Sequence, residues 1–162
     1  MKNVIVKAND LFARLHAVFM EIVRLELERL KVGDISPSQY MILHHLGDDK
    51  LPIGDLSFRS HYVGTNISYN IKKMLENEYV LQSKALHDQR THYISASSKG
   101  KILIGKIHAA FADHGNMLEQ YGIQKQELME ALGFLSKIDD FWTYTLSHRY
   151  RLSLDDTGLS KK

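Results

Sequence analysis

Apolar side chains recur every three or four residues along most of this chain, a spacing that predicts helices. The first helix is expected over residues 9–31, with its apolar stripe at Leu11, Leu15, Val18, Ile22 and Leu25. The segment 36–39, Ser-Pro-Ser-Gln, has the form of a capping box with proline at the first helical position, so a second helix begins there and ends before Gly47. Two short helices follow with a brief break between them, and the first covers residues 53–60.

The spacing changes to that of strands after the second short helix. Residues 80–84 and 92–96 predict two strands joined by a polar turn at 86–91, and Leu51-Pro52 predicts a brief extra strand. Ser97 is placed to cap a long helix to about residue 121, and a last helix covers about 125–149. Two short helices followed by a β-hairpin form a winged helix. The predicted fold class is therefore mainly α with a small β-hairpin, a winged helix-turn-helix flanked by long terminal helices.

The second short helix has two chemically different faces. One is apolar and is expected to be buried, with Ile67, Ile71, Met74 and Leu75. The opposite face is polar and carries Asn66, Tyr69, Asn70 and Lys73. Asparagine can pair with adenine through two hydrogen bonds, and lysine can reach guanine or a phosphate. This chemistry favours a recognition helix for a major groove, whereas an ordinary solvated face is the alternative.

The hairpin carries the most specific motif. The pattern Asp88-x-Arg90-x-x-x-Ile94-x-Ala96-Ser97-x-x-Gly100 resembles the wing signature of the MarR family of bacterial transcription regulators. The segment 72–80 and the long flanking helices are similar to that family as well, so the resemblance covers about residues 8–150. It implies a regulator that binds a pseudo-palindromic operator as a homodimer and represses. Glu78 stands where the family usually has glycine, so Asn77 is expected to take the left-handed conformation that ends the helix.

An arginine at the tip of a hairpin can enter the adjacent minor groove, where negative potential is focused. Asp88 can aim the Arg90 guanidinium by a charge-assisted pair, although a surface ion pair of little energy is the alternative. The expected DNA contacts are then of three kinds. They are Asn66, Tyr69, Asn70 and Lys73 in the major groove, Thr65, Ser68 and Lys72 on phosphates, and Arg90, aimed by Asp88, in the minor groove.

Charge and composition agree with this interpretation. The net charge is +2, but residues 59–101 hold seven bases and three acids, an excess of +4 that leaves −2 for the rest. A moderate basic excess fits a phosphate-contacting surface that acts as a dimer. The 162 residues contain no cysteine, which excludes disulfides and thiol-based redox sensing. No run is apolar enough for a signal peptide or a membrane span, so we expect a cytoplasmic protein without a membrane partner.

The terminal helices carry apolar stripes that the compact middle region does not need for folding. Packing against their own subunit is one explanation, whereas the family resemblance implies that they interlock across a two-fold axis. Recognition helices would then be spaced by about 34 Å. The expected organisation is an N-terminal dimerisation helix at 1–35, a winged helix-turn-helix at 36–100, C-terminal dimerisation helices at 101–150 and a disordered tail at 151–162.

The resemblance also implies a small aromatic or phenolic effector, bound in a crevice between the dimer helices and the DNA-binding lobe. The residues that could line this crevice are Phe12, His16, Phe19, Tyr40 and His44. Simple core or dimer packing explains each of them equally well.

Nothing in the motifs suggests an enzyme. The sequence lacks the hydrolase, metalloprotease and phosphate-loop motifs, so we predict no catalytic residue, no cofactor and no assigned metal site. Two other functions stay open. The winged helix could dock an acidic partner protein, or the chain could respond to zinc through His44, His108 and Glu21.

Overall fold

The computed structural model describes residues 2–59, 67–84 and 91–156. In that part of the chain, the elements are α1 (Lys2–Arg29), α2 (Pro37–Leu46), β1 (Lys50–Pro52), α3 (Ile53–Arg59), α4 (Ile67–Glu76), β2 (Val80–Lys84), β3 (His92–Ala96), α5 (Ser98–Gln120) and α6 (Lys125–Asp156). The order confirms the predicted class of helices around a small sheet. The chain forms two compact units, residues 1–112 and 113–162, and α5 runs from the first into the second.

The sheet in the first unit has three antiparallel strands in the order β1-β3-β2. Leu51 lies opposite Ile94 in one pairing, and Val80 lies opposite Ala96 in the other. The predicted hairpin and the brief strand at Leu51-Pro52 are therefore confirmed, with β1 one residue longer. Because β3 is central, its alternating side chains at Ile94 and Ala96 are buried.

The core of the first unit lies where α1 to α5 and the sheet pack together. The apolar face predicted for α4 is confirmed, since Ile71 and Met74 are buried and Ile67 and Leu75 pack against the core. The largest fully buried side chains are Tyr40, Ile42, Leu43, Leu46, Leu56, Met74, Ile94, Ile107, Val23 and Val80.

Helix α1 is longer than predicted, and most of its apolar stripe is not buried within this chain. It begins at Lys2 instead of residue 9, because no glycine or proline interrupts residues 2–8. Val23 and Leu27 reach the core, whereas four of the five predicted stripe residues remain exposed: Leu11, Leu15, Val18 and Leu25. The stripe is therefore not an ordinary core stripe of this chain.

Helix α4 ends in a way that the sequence analysis did not anticipate. Glu78 itself has a φ of 60°, so the expectation that Asn77 takes the left-handed conformation was wrong. The Glu78 N–H donates to the Leu75 carbonyl at 3.1 Å, and the Tyr79 N–H donates to the Met74 carbonyl at 2.8 Å. These two bonds form a Schellman motif, whose geometry requires the left-handed residue one position after Asn77.

The caps of α2 and α5 are those predicted. Ser36 and Gln39 form both bonds of the capping box, and Pro37 is the first helical residue. The Ser97 hydroxyl accepts from the Gly100 N–H at 3.0 Å and donates to the Glu78 carbonyl at 2.6 Å. Ser97 thus caps α5 and also ties it to the end of α4.

Helix α6, in the second unit, continues to Asp156, seven residues beyond its predicted end. The first six residues of the expected disordered tail are therefore helical. The physical reason is that residues 134–157 contain no glycine or proline. Among the helices that the structure describes, not one has the length and apolarity that crossing a membrane requires.

Candidate nucleic-acid interface

The outward face of α4 is the surface on which DNA contacts were predicted. Ser68, Tyr69 and Lys72 are exposed, and Tyr69 exposes 53% of its surface. Asn70 and Lys73 are only half-buried by the same measure. The exposed part of this face therefore consists of Ser68, Tyr69 and Lys72. Ser68 and Lys72, the expected phosphate contacts, lie in its middle, and Asn70 and Lys73 lie at its margins.

Lys73 and Glu76 form an ion pair one helical turn apart, with 2.8 Å between Nζ and Oε2. The hydrogen bond to Glu76 and its negative charge raise the pKa of Lys73. Exposed pairs of this kind are weak, so a phosphate or a guanine can displace the carboxylate. A major-groove contact by Lys73 would therefore have to displace Glu76.

Asn70 lies beside a residue of α2 that was not predicted to matter for DNA. The Gln39 Nε2 donates to the Asn70 Oδ1 at 3.3 Å. Gln39 exposes only 9% of its surface, so this bond joins the margin of the α4 face to the interior. No sequence spacing could reveal the contact, since 31 residues separate the two partners.

Four of the predicted DNA contacts lie outside the described residues: Thr65, Asn66, Asp88 and Arg90. They belong to the segments 60–66 and 85–90, and their roles stay predictions.

The positive charge excess of residues 59–101 is partly compensated by acids from elsewhere in the chain. Lys99 pairs with Asp34 at 2.8 Å, and Lys101 pairs with Asp48 at 2.6 Å. Both acids lie outside residues 59–101, and counting them halves the excess of +4.

A polar cluster, which we call the Asp34 cluster, joins the loop before α2 to the end of α4. Asp34 accepts hydrogen bonds from the Tyr79 hydroxyl at 2.6 Å and from the Lys99 Nζ at 2.8 Å. Lys99 also donates to the Asn77 carbonyl at 2.9 Å, and the Asn77 side-chain amide donates to the Asp34 carbonyl. These bonds hold the end of α4 at a set position relative to the loop.

The electrostatics of this cluster follow from its hydrogen bonds. Partial burial alone would raise the pKa of Asp34, but the bonds from Lys99 and Tyr79 outweigh it and lower that pKa. Burial and the bond to Asp34 raise the pKa of Tyr79. Asp34 is therefore ionised, and Tyr79 is a neutral donor near neutral pH.

The five predicted effector residues are only partly brought together. The Tyr40 and His44 rings lie 6.1 Å apart between centroids, but Tyr40 exposes only 1% of its surface. His16 is exposed and Phe12 is half-buried. Phe19 stacks on Phe111, with 5.5 Å between ring centroids. Tyr40 is thus a core residue and not an open crevice wall.

Helix α5 supplies two residues that the effector prediction omitted, Phe111 and His108. The His44 Nδ1 and His108 Nε2 lie 3.1 Å apart, and the two residues of α5 are three positions apart, hence on one face. The Tyr40 hydroxyl is buried and has no hydrogen-bond partner among the described residues, and burial raises its pKa to about 12. These groups form a mixed aromatic and imidazole cluster between α1, α2 and α5.

Only two of the three side chains that were predicted as zinc ligands lie together in the structure. His44 and His108 do meet, but the Glu21 carboxylate pairs with Arg24 at 2.6 Å. Within residues 2–59, 67–84 and 91–156, no group of three or more His, Cys, Asp or Glu side chains could hold a metal ion.

Comparison with known proteins agrees with this geometry. Residues 35–100 match the family model of a winged helix DNA-binding domain. The chain is also 32% identical over 124 residues to the exopolysaccharide II synthesis transcriptional activator ExpG of Rhizobium meliloti (strain 1021). That match covers 76% of this chain and 64% of the relative, so the chain spans less than two thirds of the relative's length.

Solved structures of regulators share the fold over most of the chain. The transcriptional regulator SlyA superposes with a TM-score of 0.69 and 16% identity, covering 89% of this chain and 97% of SlyA. A MarR-family regulator from Silicibacter pomeroyi gives 0.63 and 23%, covering 81% and 86%. NadR in complex with 4-hydroxyphenylacetate gives 0.64 and 16%, covering 81% and 91%. The predicted resemblance is confirmed: residues 35–100 match a winged helix DNA-binding domain, and the chain has the fold of solved MarR-family transcription regulators.

Proposed function

We propose that this protein is a transcription regulator that binds a pseudo-palindromic operator in double-stranded DNA as a homodimer. The observation that carries the proposal is the outward face of α4, where Ser68, Tyr69 and Lys72 are exposed within a matched winged helix domain. A helix that projects polar and basic side chains from such a domain fits the width of a major groove. The predicted minor-groove contact of Arg90 completes the interface.

The apolar surfaces of the terminal helices support the dimer. In α1, Leu15 and Val18 each expose 52% of their surface, and in α6 Leu132 and Phe141 expose 58% and 61%. Exposed apolar rows of this kind mark an interaction surface. A second copy of the chain covers both rows under two-fold symmetry and presents two copies of α4 to successive major grooves.

The cluster around Phe19, Phe111, His44 and His108 supports an aromatic or phenolic effector. Stacked rings and imidazole nitrogens match the apolar body and the polar groups of such a ligand. NadR, which has this fold, is solved with the phenolic compound 4-hydroxyphenylacetate. The effector acts by binding one conformation of the dimer better than the other, which changes DNA affinity.

The test is binding of the purified protein to its own upstream DNA, titrated against salt and competitor DNA, with sedimentation to give the mass. We expect a dimer whose binding is sequence-selective and steeply salt-dependent. Lys72→Ala should lower affinity about equally for all sequences and reduce the salt slope by about one. Lys106→Ala, which removes an exposed lysine of α5, is the matched control and should leave the slope unchanged.

Other outcomes point to other functions. A monomer, or a dimer indifferent to specific DNA, favours the protein-docking module. Affinity that changes with added zinc or a chelator favours the zinc-responsive regulator, for which the contact between His44 and His108 is the supporting observation. A reporter fused to the bound promoter separates repression, the expected direction, from activation, which is the activity named for ExpG.

A further inference from the structure

The capping box of α2 determines how the Gln39 side chain is oriented. The backbone N–H of Ser36 can only donate a hydrogen bond, and its partner lies 2.9 Å away on Gln39. That partner must be the acceptor Oε1, so the Nε2 group points to the other side. Gln39 is 9% exposed, which keeps water from competing for either end.

The orientation of Gln39 in turn determines that of Asn70. The Gln39 Nε2 is a donor only, and it lies 3.3 Å from the Asn70 side chain. The Asn70 atom that it meets must therefore be the acceptor Oδ1. The Asn70 amide group, Nδ2, is left for the opposite side of this half-buried residue, at the margin of the α4 face.

We propose that Gln39 is a specificity-determining positioning residue that makes Asn70 present a hydrogen-bond donor to DNA. This inference rests on the proposed function and deepens it. In the major groove, guanine O6 and thymine O4 are acceptors, whereas adenine N6 and cytosine N4 are donors at the equivalent place. A donor from Asn70 therefore favours guanine, through O6 or N7, and thymine, through O4, over cytosine, which has no major-groove acceptor. Adenine keeps only N7 as an acceptor, so the two-bond adenine contact that the residue type alone suggests is lost.

The experiment is selection of bound sequences from an operator library randomised at each position of a half-site. Asn70→Ala first identifies the position that Asn70 reads, because base discrimination is lost there. At that position the unaltered protein should prefer guanine or thymine to cytosine by roughly 2- to 10-fold, as expected for one net hydrogen bond.

Gln39→Glu is the decisive variant. A glutamate completes the capping box as well as glutamine does, so α2 keeps its N-terminus. Its second carboxylate oxygen is an acceptor, which turns the Asn70 amide over and presents Oδ1 to the DNA. The preference should then reverse towards adenine or cytosine.

Asn70→Asp is an independent route to the same reversal. Gln39 still donates to one carboxylate oxygen, and the other oxygen becomes the acceptor that faces DNA. Reversal in both variants supports the proposal. The proposal is overturned if the Gln39→Glu variant still prefers guanine or thymine. It is also overturned if Asn70→Ala discriminates between bases at every position as the unaltered protein does, even if operator binding is intact. Absence of any sequence-selective binding by the unaltered protein overturns the proposed function itself.

Discussion

Replacing Gly100 by alanine tests the closest approach between α5 and the end of α4. A Cβ at this position would lie 2.3 Å from the Tyr79 carbonyl oxygen and 3.1 Å from the Leu43 Cδ1. Carbon and oxygen atoms in ordinary contact are more than 3 Å apart, so the helix must move by about 1 Å. The obstacle is backbone, which cannot rotate away as a flexible side chain would.

Three effects determine the change in the free energy of unfolding, two of them destabilising and one stabilising. Overpacking of a tight site costs about 1–3 kcal/mol. Moving α5 also strains the bond from the Ser97 N–H to the Tyr79 carbonyl, now 3.0 Å, and its loss costs about 0.5–1.5 kcal/mol. Alanine regains about 1 kcal/mol over glycine through helix propensity. We expect Gly100→Ala to lower the free energy of unfolding by about 1–3 kcal/mol.

Urea denaturation at one protein concentration measures this change, and the concentration is held constant because dimerisation would contribute to stability. Gly105→Ala is the matched control, since the same helix has open space around that position. Its unfolding free energy should rise by up to about 1 kcal/mol. If Gly100→Ala were as stable as Gly105→Ala, the proposed close approach would be wrong.

Three further predictions concern other parts of the chain. Glu78→Gly should raise the free energy of unfolding by about 1 kcal/mol in urea denaturation, because glycine adopts a φ of 60° without strain, and Glu78→Ala should give no such gain. Burial and the charge of His108 lower the pKa of His44 from 6.5, so the unfolded chain binds a proton there at higher pH than the folded protein does. The free energy of unfolding should therefore be highest above pH 6.5 and should decrease as the pH falls below 6.5. A His44→Gln variant whose free energy of unfolding changes with pH as that of the unaltered protein does would contradict this. Arg90→Ala should weaken operator binding by about 1–3 kcal/mol in a fluorescence anisotropy titration, and unchanged affinity would remove the wing from the interface.

Several features of this fold could be predicted because they depend on residues close together in sequence. The capping box at Ser36 and Gln39 and the alternation in β3 each lie within a few residues. The buried face of α4 follows from a spacing of three and four residues between Ile67, Ile71 and Met74. Local spacing dictates which face of an element is apolar, and the apolar face is the one that is buried.

The ends of helices were less predictable. Neither Lys31 nor Glu78 is a residue type that favours a positive φ, yet both adopt it. In each case the following residue continues into the core, Val32 packing against it and Tyr79 buried within it, and this packing offsets the backbone strain. The start of α1 was also missed, because its first turns lack a recognisable cap.

The sequence by itself determined the class of the molecule: the order of helices and strands, the capped start of α2 and the two-faced helix α4. Only the tertiary structure decided which side chains meet, including Gln39 with Asn70, Asp34 with Lys99, and His44 with His108. The partners in these pairs are 31 to 65 residues apart. Periodicity specifies which face of a helix is buried, but the partner on that face depends on how the elements pack together.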